Sequence, residues 1–366
     1  MKRFIALKIL GIIWIPVVFV IWQVLKGSPD WVELYYSQGF YPVLIKNISA
    51  ISSVFSFALH EVVVIVLIVV VLFLLFLDYK LNEGWLHKLH GGFLSLLSVS
   101  GWIYFLLVFM WGLNHLRHPI EQIFELEESL TQAQQVEMVN YAIEQANTSS
   151  ENMQINRVGV SLEQCENRPE PFEMLDKQVN QAMIAFLKEQ ALPPVKAAEG
   201  RYFIFSDLIR SMGIAGIYNP LIAQPAISSS LPASLQSHTL AHEYAHLNGF
   251  ADEAAADLVA YASLWHSPSK QLRYEAWLSL IWQLGEVKHS NLNDAVKADI
   301  NCIALNVKTF KEKNKGSVAD SLLKPAVKAA NDQYLKQSGH VDGIKRYAYG
   351  EQLALRYLYQ KIKKQP

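Results

Sequence analysis

The chain has 366 residues, of which 51% are hydrophobic and 18% charged, and its formal net charge is −1. The length allows more than one structural unit, and the apolar share is high for a soluble globular protein. The balanced charge excludes the strongly basic surface that nucleic-acid binding requires, so no nucleic-acid partner is expected.

Three apolar stretches lie within residues 1–112, which we predict to be a membrane domain. The predicted transmembrane helices cover residues 9–25, 54–77 and 91–112, and each is long enough to cross about 30 Å of hydrocarbon. The first stretch follows Met1-Lys2-Arg3 and is not followed by a small-x-small cleavage site, which favours a retained signal anchor over a signal peptide. His60 and Glu61 interrupt the second stretch, and we expect them near a membrane face.

The basic residues of the short flanks predict the orientation. Lys2, Arg3 and Lys8 precede the first span, and Lys80 and Lys88 lie between the second and third, which favours the cytoplasm for both segments. Lys26 and Lys46 on the other side make the bias modest. Three crossings then place the C-terminal portion outside the cytoplasm, where Cys165 and Cys302 could form a disulfide; two buried thiols are the alternative.

The portion after the spans is predicted to be mostly helical. Residues 113–171 are predicted to form a helical neck (119–147) with a polar loop (147–171), and residues 172–366 are predicted to form the main domain. Tyr202–Ser206 is the best strand candidate, and residues 213–237 read as an ordered loop. Further helices are predicted at 172–189, 235–247, 252–266, 270–287, 292–313, 318–339 and 343–363.

The most informative motif is HExxH, formed by His242, Glu243 and His246. Residues four apart share a helix face, so both imidazoles can bind one zinc ion, and Glu243 lies beside them as a candidate general base. The alternative is an amphipathic helix with two histidines at its polar edge. His238, four residues earlier, is expected to support the site from behind or at its rim rather than to bind metal.

The third metal ligand has three candidates. Asp252 occupies the position that the metzincin pattern would use, but that class also needs a downstream methionine turn, and Met212 is the last methionine. Glu253 and Asp257 are four apart, so Glu253 can bind the metal while Asp257 orients a ligand imidazole. Glu253 is our choice and Asp252 the second.

Several short motifs along the chain resemble a known family. They are Trp111-Gly112-Leu113-Asn114, the stretch Gly213 to Pro220, HExxH with Gly249-Phe250-Ala251, and Asn331 to Lys336 with Gly339 and Asp342-Gly343. Their order resembles the bacterial membrane family called domain of unknown function 3810. The resemblance implies three spans in a bacterial cytoplasmic membrane and a mainly helical, zincin-like outer domain. Where the family usually has a second glutamate, this chain has Ala255, which bears on the third ligand.

The leading hypothesis is a membrane-anchored zinc metallopeptidase that acts outside the cytoplasmic membrane on a peptide or protein, including envelope proteins. The partners expected are the lipid bilayer and that substrate, and the cofactor expected is Zn²⁺. Two alternatives stay open: an envelope protein with a structural zinc site and a partner-binding outer domain, and a zinc hydrolase of a non-peptide amide. Tyr218 and Tyr347 are candidate oxyanion donors, although packed tyrosines are the simpler interpretation.

Overall fold

The fold is seen in a computed structural model that describes residues 2–126, 129–153, 170–196, 198–285, 291–337, 343 and 347–364. The protein is mainly helical with little strand, as predicted, and three apolar helices lie near the N-terminus. These are α1 (Lys2–Leu25), α4 (His60–Leu81) and α5 (Trp85–Met110). The 22 residues of α4 rise about 33 Å, which matches the thickness of a bilayer core.

The second span begins later than predicted. Residues 54–59 are not helical, and α4 starts at His60, whose ring packs edge-on against Phe203 with centroids 5.7 Å apart. The backbone N–H of Leu59 donates to Gln224 Oε1 at 2.8 Å. The prediction of a helix from residue 54 was wrong because these apolar residues are tied to the sheet described below, a contact that hydropathy alone does not reveal.

The segment between the first two spans is helical for most of its length. It comprises α2 (Pro29–Trp31), a π-helical stretch (Val32–Phe40) and α3 (Tyr41–Ser52), and we call residues 29–59 the interspan segment. Four of its side chains belong to the main hydrophobic core: Val32, Tyr36, Tyr41 and Ile45. The segment therefore lies on the same side of the membrane helices as the part of the chain after α5, which we call the outer domain because it lies outside the three spans.

The outer domain is assembled from helices that mostly match the predicted ones. A 3₁₀ turn (Gly112–Leu116) and a short helix α6 (Ile120–Ile123) lead from α5 to α7 (Gln132–Asn152), so the neck is a helix pair. Of the predicted loop 147–171, residues 147–152 belong to α7 and residues 154–169 lie outside the described residues. The later helices are α8 (Phe172–Glu189), α9 (Ser206–Ser211), α10 (Ala233–Leu247), α11 (Glu253–Trp265), α12 (Lys270–Leu284), α13 (Asp294–Asn314), α14 (Lys324–Gln337, preceded by a π-helical turn Ala319–Leu323) and α15 (Tyr347–Lys363).

A small sheet lies beside α10. Its strands are β1 (Arg201–Tyr202), β2 (Gly216–Asn219) and β3 (Gln224–Ile227), in the order β1-β3-β2, with β1 parallel and β2 antiparallel to β3. The predicted strand is shorter than expected, because the chain turns into α9 at Ser206. The predicted loop 213–237 contains β2 and β3, whose four residues each are too few to produce a recognisable alternation.

Packing around α10 fixes the position of the HExxH motif. Most of α10 is buried, and it contacts α8, α11, α12 and both longer strands. Of the two cysteines, Cys302 lies on α13 and is not a free thiol, while Cys165 lies outside the described residues, so the pairing stays a prediction.

Candidate metal centre

The site is built on the turn between α10 and α11. Gly249 has a φ of +86°, a left-handed conformation that ends α10 and that glycine adopts without steric cost. Asp252 caps the next helix, since its side chain accepts from the N–H of Ala255 at 2.9 Å. The chain thus reverses within a few residues, and Glu253, the first residue of α11, faces the two histidines of α10.

Three side chains converge with metal-ligand geometry. The ligand atoms of His242, His246 and Glu253 all lie within 4.8 Å of one another. Glu253 Oε2 is 3.2 Å from His242 Nε2 and 3.4 Å from His246 Nε2. Two donors that each lie about 2.0–2.2 Å from a tetrahedral zinc are separated by about 3.3–3.6 Å, so the two distances from Glu253 lie at or near the values for one such ion.

Both imidazoles are oriented by hydrogen bonds at Nδ1, the ring nitrogen that faces away from Glu253. His242 Nδ1 donates to Asp257 Oδ1 at 2.7 Å, and His246 Nδ1 donates to the carbonyl of Phe250, also at 2.7 Å. Occupation of Nδ1 leaves each Nε2 to face Glu253, which is the tautomer that a metal ligand needs. The sequence-based assignment of Asp257 to an orienting position agrees with this geometry.

Glu243 lies beside this group and is almost completely buried. Its carboxyl contacts Gly216 of β2, where an added Cβ would lie 2.5 Å from Glu243 Oε1. Burial raises the pKa of Glu243 to about 7, although the neighbouring imidazoles and a backbone hydrogen bond from Tyr218 oppose the shift. A carboxyl group with a pKa near neutrality is suited to accept and return a proton.

The charges of the site are mutually compensating. Burial would raise the pKa of Glu253, but His246 and His242 outweigh it and hold that pKa well below its usual value. For His242, burial would lower the pKa, and Asp257 and Glu253 reverse the effect and raise it. These carboxylates would equally compensate a divalent cation bound between the Nε2 atoms.

Two sequence candidates lie outside the ligand group. Asp252, our second choice for the third ligand, caps α11 and is not among the three residues whose ligand atoms converge. His238 is buried, its ring packs on Tyr261 with centroids 4.1 Å apart, and its Nε2 lies 3.9 Å from Asp257 Oδ1. That distance is too long for a hydrogen bond, so His238 lies behind the site without binding Asp257, and the described residues do not form a closed four-ligand site that includes it.

Sequence reasoning missed the residues that join the site to the membrane helices. Trp111, one residue after α5, packs edge-on against the His246 ring with centroids 5.4 Å apart and also contacts Tyr218. The Tyr218 hydroxyl is hydrogen-bonded to the Tyr41 hydroxyl at 3.0 Å, which favours the simpler interpretation of Tyr218 as a packed tyrosine. The side chain of the other tyrosine candidate, Tyr347, lies outside the described residues.

A second missed residue, Tyr334, contacts Trp111 from α14. The hydroxyl of Tyr334 on α14 accepts from Trp111 Nε1 at 2.9 Å and lies 2.8 Å from His115 Nε2. Trp111 and Tyr334 both belong to motifs that carried the family resemblance, so that resemblance contained the only sequence signal for them.

Comparison with known proteins identifies one family. Residues 36–355 match the family described as a protein of unknown function (DUF3810). The chain belongs to this family. The matched region covers the interspan segment from residue 36 onward, the membrane helices α4 and α5, HExxH and about half of the last helix. No curated protein and no solved structure matches the chain.

Proposed function

We propose that the protein is a membrane-anchored zinc-dependent metallopeptidase. The observation that carries the proposal is the convergence of His242, His246 and Glu253, whose ligand atoms lie within 4.8 Å of one another, with the buried carboxyl of Glu243 beside them. Two imidazoles and one glutamate are a ligand set that catalytic zinc sites use, and three protein ligands leave a coordination position open. A site that only braces two helices would use a fourth protein ligand.

Bound zinc would supply two things, a lowered pKa for a coordinated water and polarisation of the scissile carbonyl. The remaining steps belong to the chain. Glu243 accepts the proton of the attacking water and returns it to the amine that leaves. Asp257 and the Phe250 carbonyl hold the two imidazoles in the tautomer that keeps both Nε2 atoms toward the ion.

Substrate positioning would fall to the sheet edge next to Glu243. Strand β2 is at one end of the strand order and touches Glu243 through Gly216 and Tyr218. An extended peptide that paired with this edge would place its backbone beside the ion. This is the feature that favours a peptide over a non-peptide amide as substrate.

The proposed location is the outer face of the bacterial cytoplasmic membrane. The interspan segment and the domain after α5 pack into one core, so both lie on one side of the membrane helices. Lys2, Arg3 and Lys8 lie toward the other end, as does the short connection from α4 to α5. The excess of basic residues at that end favours the cytoplasm for it.

The test uses the full chain in proteoliposomes with a quenched-fluorescent peptide pool as probe. The purified protein should contain about one zinc ion, and Glu243→Gln should lower hydrolysis by about 10²–10⁴-fold, as expected for loss of a general base, while zinc stays bound. Glu275→Gln is the matched control, because Glu275 is a buried carboxyl on α12 outside the ligand group. Full activity in Glu243→Gln would refute the assigned base, and bound zinc without wild-type hydrolysis would favour a bracing site.

A further inference from the structure

The interspan segment carries large apolar side chains on both of its faces. Val32, Tyr36, Tyr41 and Ile45 are buried in the core, yet other apolar residues of the segment are exposed to at least two-fifths: Trp31, Leu34, Tyr35, Phe40, Val43 and Ile51. The outward face also carries the polar Lys46 and Asn47, but so many large exposed apolar side chains together are typical of a surface that contacts a partner or lipid. The described part of the outer domain does not cover this outward face.

The exposed apolar surface continues onto the outer domain. Phe205 and Leu208, at the start of α9, are about half exposed. The Phe205 N–H donates to Glu61 Oε1 at 3.1 Å, and Arg201 Nη2 donates to the carbonyl of Phe55 at 2.9 Å. These bonds hold the two parts side by side, and we call the surface that they form the apolar patch, represented by Val43, Ile51, Val54, Phe57, Phe205 and Leu208.

The spans determine what the patch faces. The interspan segment is separated from α1 by residues 26–28 and runs directly into α4 at His60. Its two ends are therefore fixed at the membrane surface, and the patch is continuous with the lipid-facing side of α4. Trp31 and Tyr35, whose rings lie 5.8 Å apart, are of the type that concentrates at the bilayer interface.

We propose that the apolar patch is embedded in the interfacial layer of the bilayer, so that the outer domain lies on the membrane rather than above it. Large exposed apolar patches on otherwise folded domains are typical of such surfaces. The exposed Lys46 on α3 is compatible with this position, because its long stem allows the ammonium group to reach the headgroups.

The placement fixes the distance of the metal centre from the lipid. Tyr41 lies two residues from Val43 of the patch, and its hydroxyl is 3.5 Å from the His246 carbonyl. On the other flank, Trp111 follows α5 directly and contacts the His246 ring. About one helix diameter, roughly 10 Å, thus separates the site from the bilayer surface. Resting on the proposed function, this predicts that the substrate is a membrane-tethered polypeptide cut close to the bilayer.

The position of the patch is tested without reference to activity. A dansyl amino acid is incorporated at position 43 or 208 of the full chain, and the protein is reconstituted in phosphatidylcholine vesicles with brominated acyl chains. Position 64, exposed on α4, is the lipid-facing control, and position 136, exposed on α7, is the solvent control. Quenching at both 43 and 208 should be comparable with that at 64 and several-fold greater than that at 136.

Quenching at either patch position as weak as at 136 would overturn the proposal. Weak quenching together with photo-cross-linking between two copies, measured with benzoylphenylalanine in place of the dansyl residue, would assign the surface to self-association instead. In the same vesicles, the peptide pool is offered free or coupled to a lipid. Preferential hydrolysis of the coupled pool is expected, whereas equal hydrolysis would overturn the substrate class alone. Quenching without any hydrolysis would leave the patch in place and contradict the proposed function.

Discussion

The α10–α11 hairpin and the interspan segment contact the same site, but they differ in how they are encoded. In the hairpin, each functional group lies within about one turn of another on the same helix, so sequence spacing alone brings His242 near His246 and Glu253 near Asp257. In the interspan segment, Tyr41 reaches His246 across 205 residues of chain, and no spacing rule relates the two. The local motif therefore specifies the candidate metal-binding groups, whereas the contacts that support them from the interspan segment are set by the tertiary fold alone.

The largest expected effect falls within the hairpin. Glu253→Gln removes the anionic ligand while it keeps the shape of the side chain, so zinc affinity should fall by more than the roughly 10–100-fold that changes behind the ligands cause. Asp252→Asn is the matched control, because asparagine also caps helices and Asp252 does not belong to the ligand group. Zinc titration of both variants decides the assignment, and a greater loss in Asp252→Asn would reverse it.

The next effect tests whether the interspan segment is a structural part of the outer domain. Ile45 is fully buried in the main core, so Ile45→Ala should lower the free energy of unfolding by about 2–5 kcal/mol. Val43→Ala, two residues away and 60% exposed, should change it little. Thermal unfolding of the two variants in one detergent gives the comparison, and equal midpoints would mean that the segment is only a tether.

The hairpin could be predicted from sequence because its signals are local. The HExxH spacing, Gly249 and the acidic pair at Glu253 and Asp257 predicted two helices and the turn between them, which the structure has. The choice of Glu253 as the third ligand stays a prediction. Ile45 and Tyr41 carry no such signal, since a short apolar helix between two spans has the same composition whether it faces lipid, a domain core or both. Residues 54–59 were assigned to a membrane helix for the same reason.

The strands illustrate a second limit. Strand β2 places Gly216 against Glu243, yet its four residues are shorter than the window in which alternation is detectable. The close approach requires glycine because an added Cβ would overlap the carboxyl. A single sequence shows that glycine is present at this position, but not what lies next to it.

A smaller effect on zinc affinity is expected from Asp257, which orients a ligand imidazole without binding the metal. Asp257→Asn keeps an acceptor for His242 Nδ1 but removes the charge that compensates the imidazole, so zinc affinity should fall by about 10–100-fold. Asp294→Asn, at the exposed start of α13, is the control. Unchanged affinity in Asp257→Asn would mean that the hydrogen bond alone orients the ring.

The smallest effect is expected from Tyr41, through which the interspan segment contacts the α10–α11 hairpin. Tyr41→Phe removes a buried hydroxyl that is bonded to Tyr218 and lies near the His246 carbonyl, so it should cost about 1 kcal/mol of stability. Zinc binding should persist, because the ligands are oriented by Asp257 and Phe250 and not by this tyrosine. Both quantities are measured on the same preparation, by thermal unfolding and by metal analysis. If Tyr41→Phe released zinc as readily as Glu253→Gln, the interspan segment would be holding the ligands themselves, and the division between a locally encoded site and a tertiary support would fail.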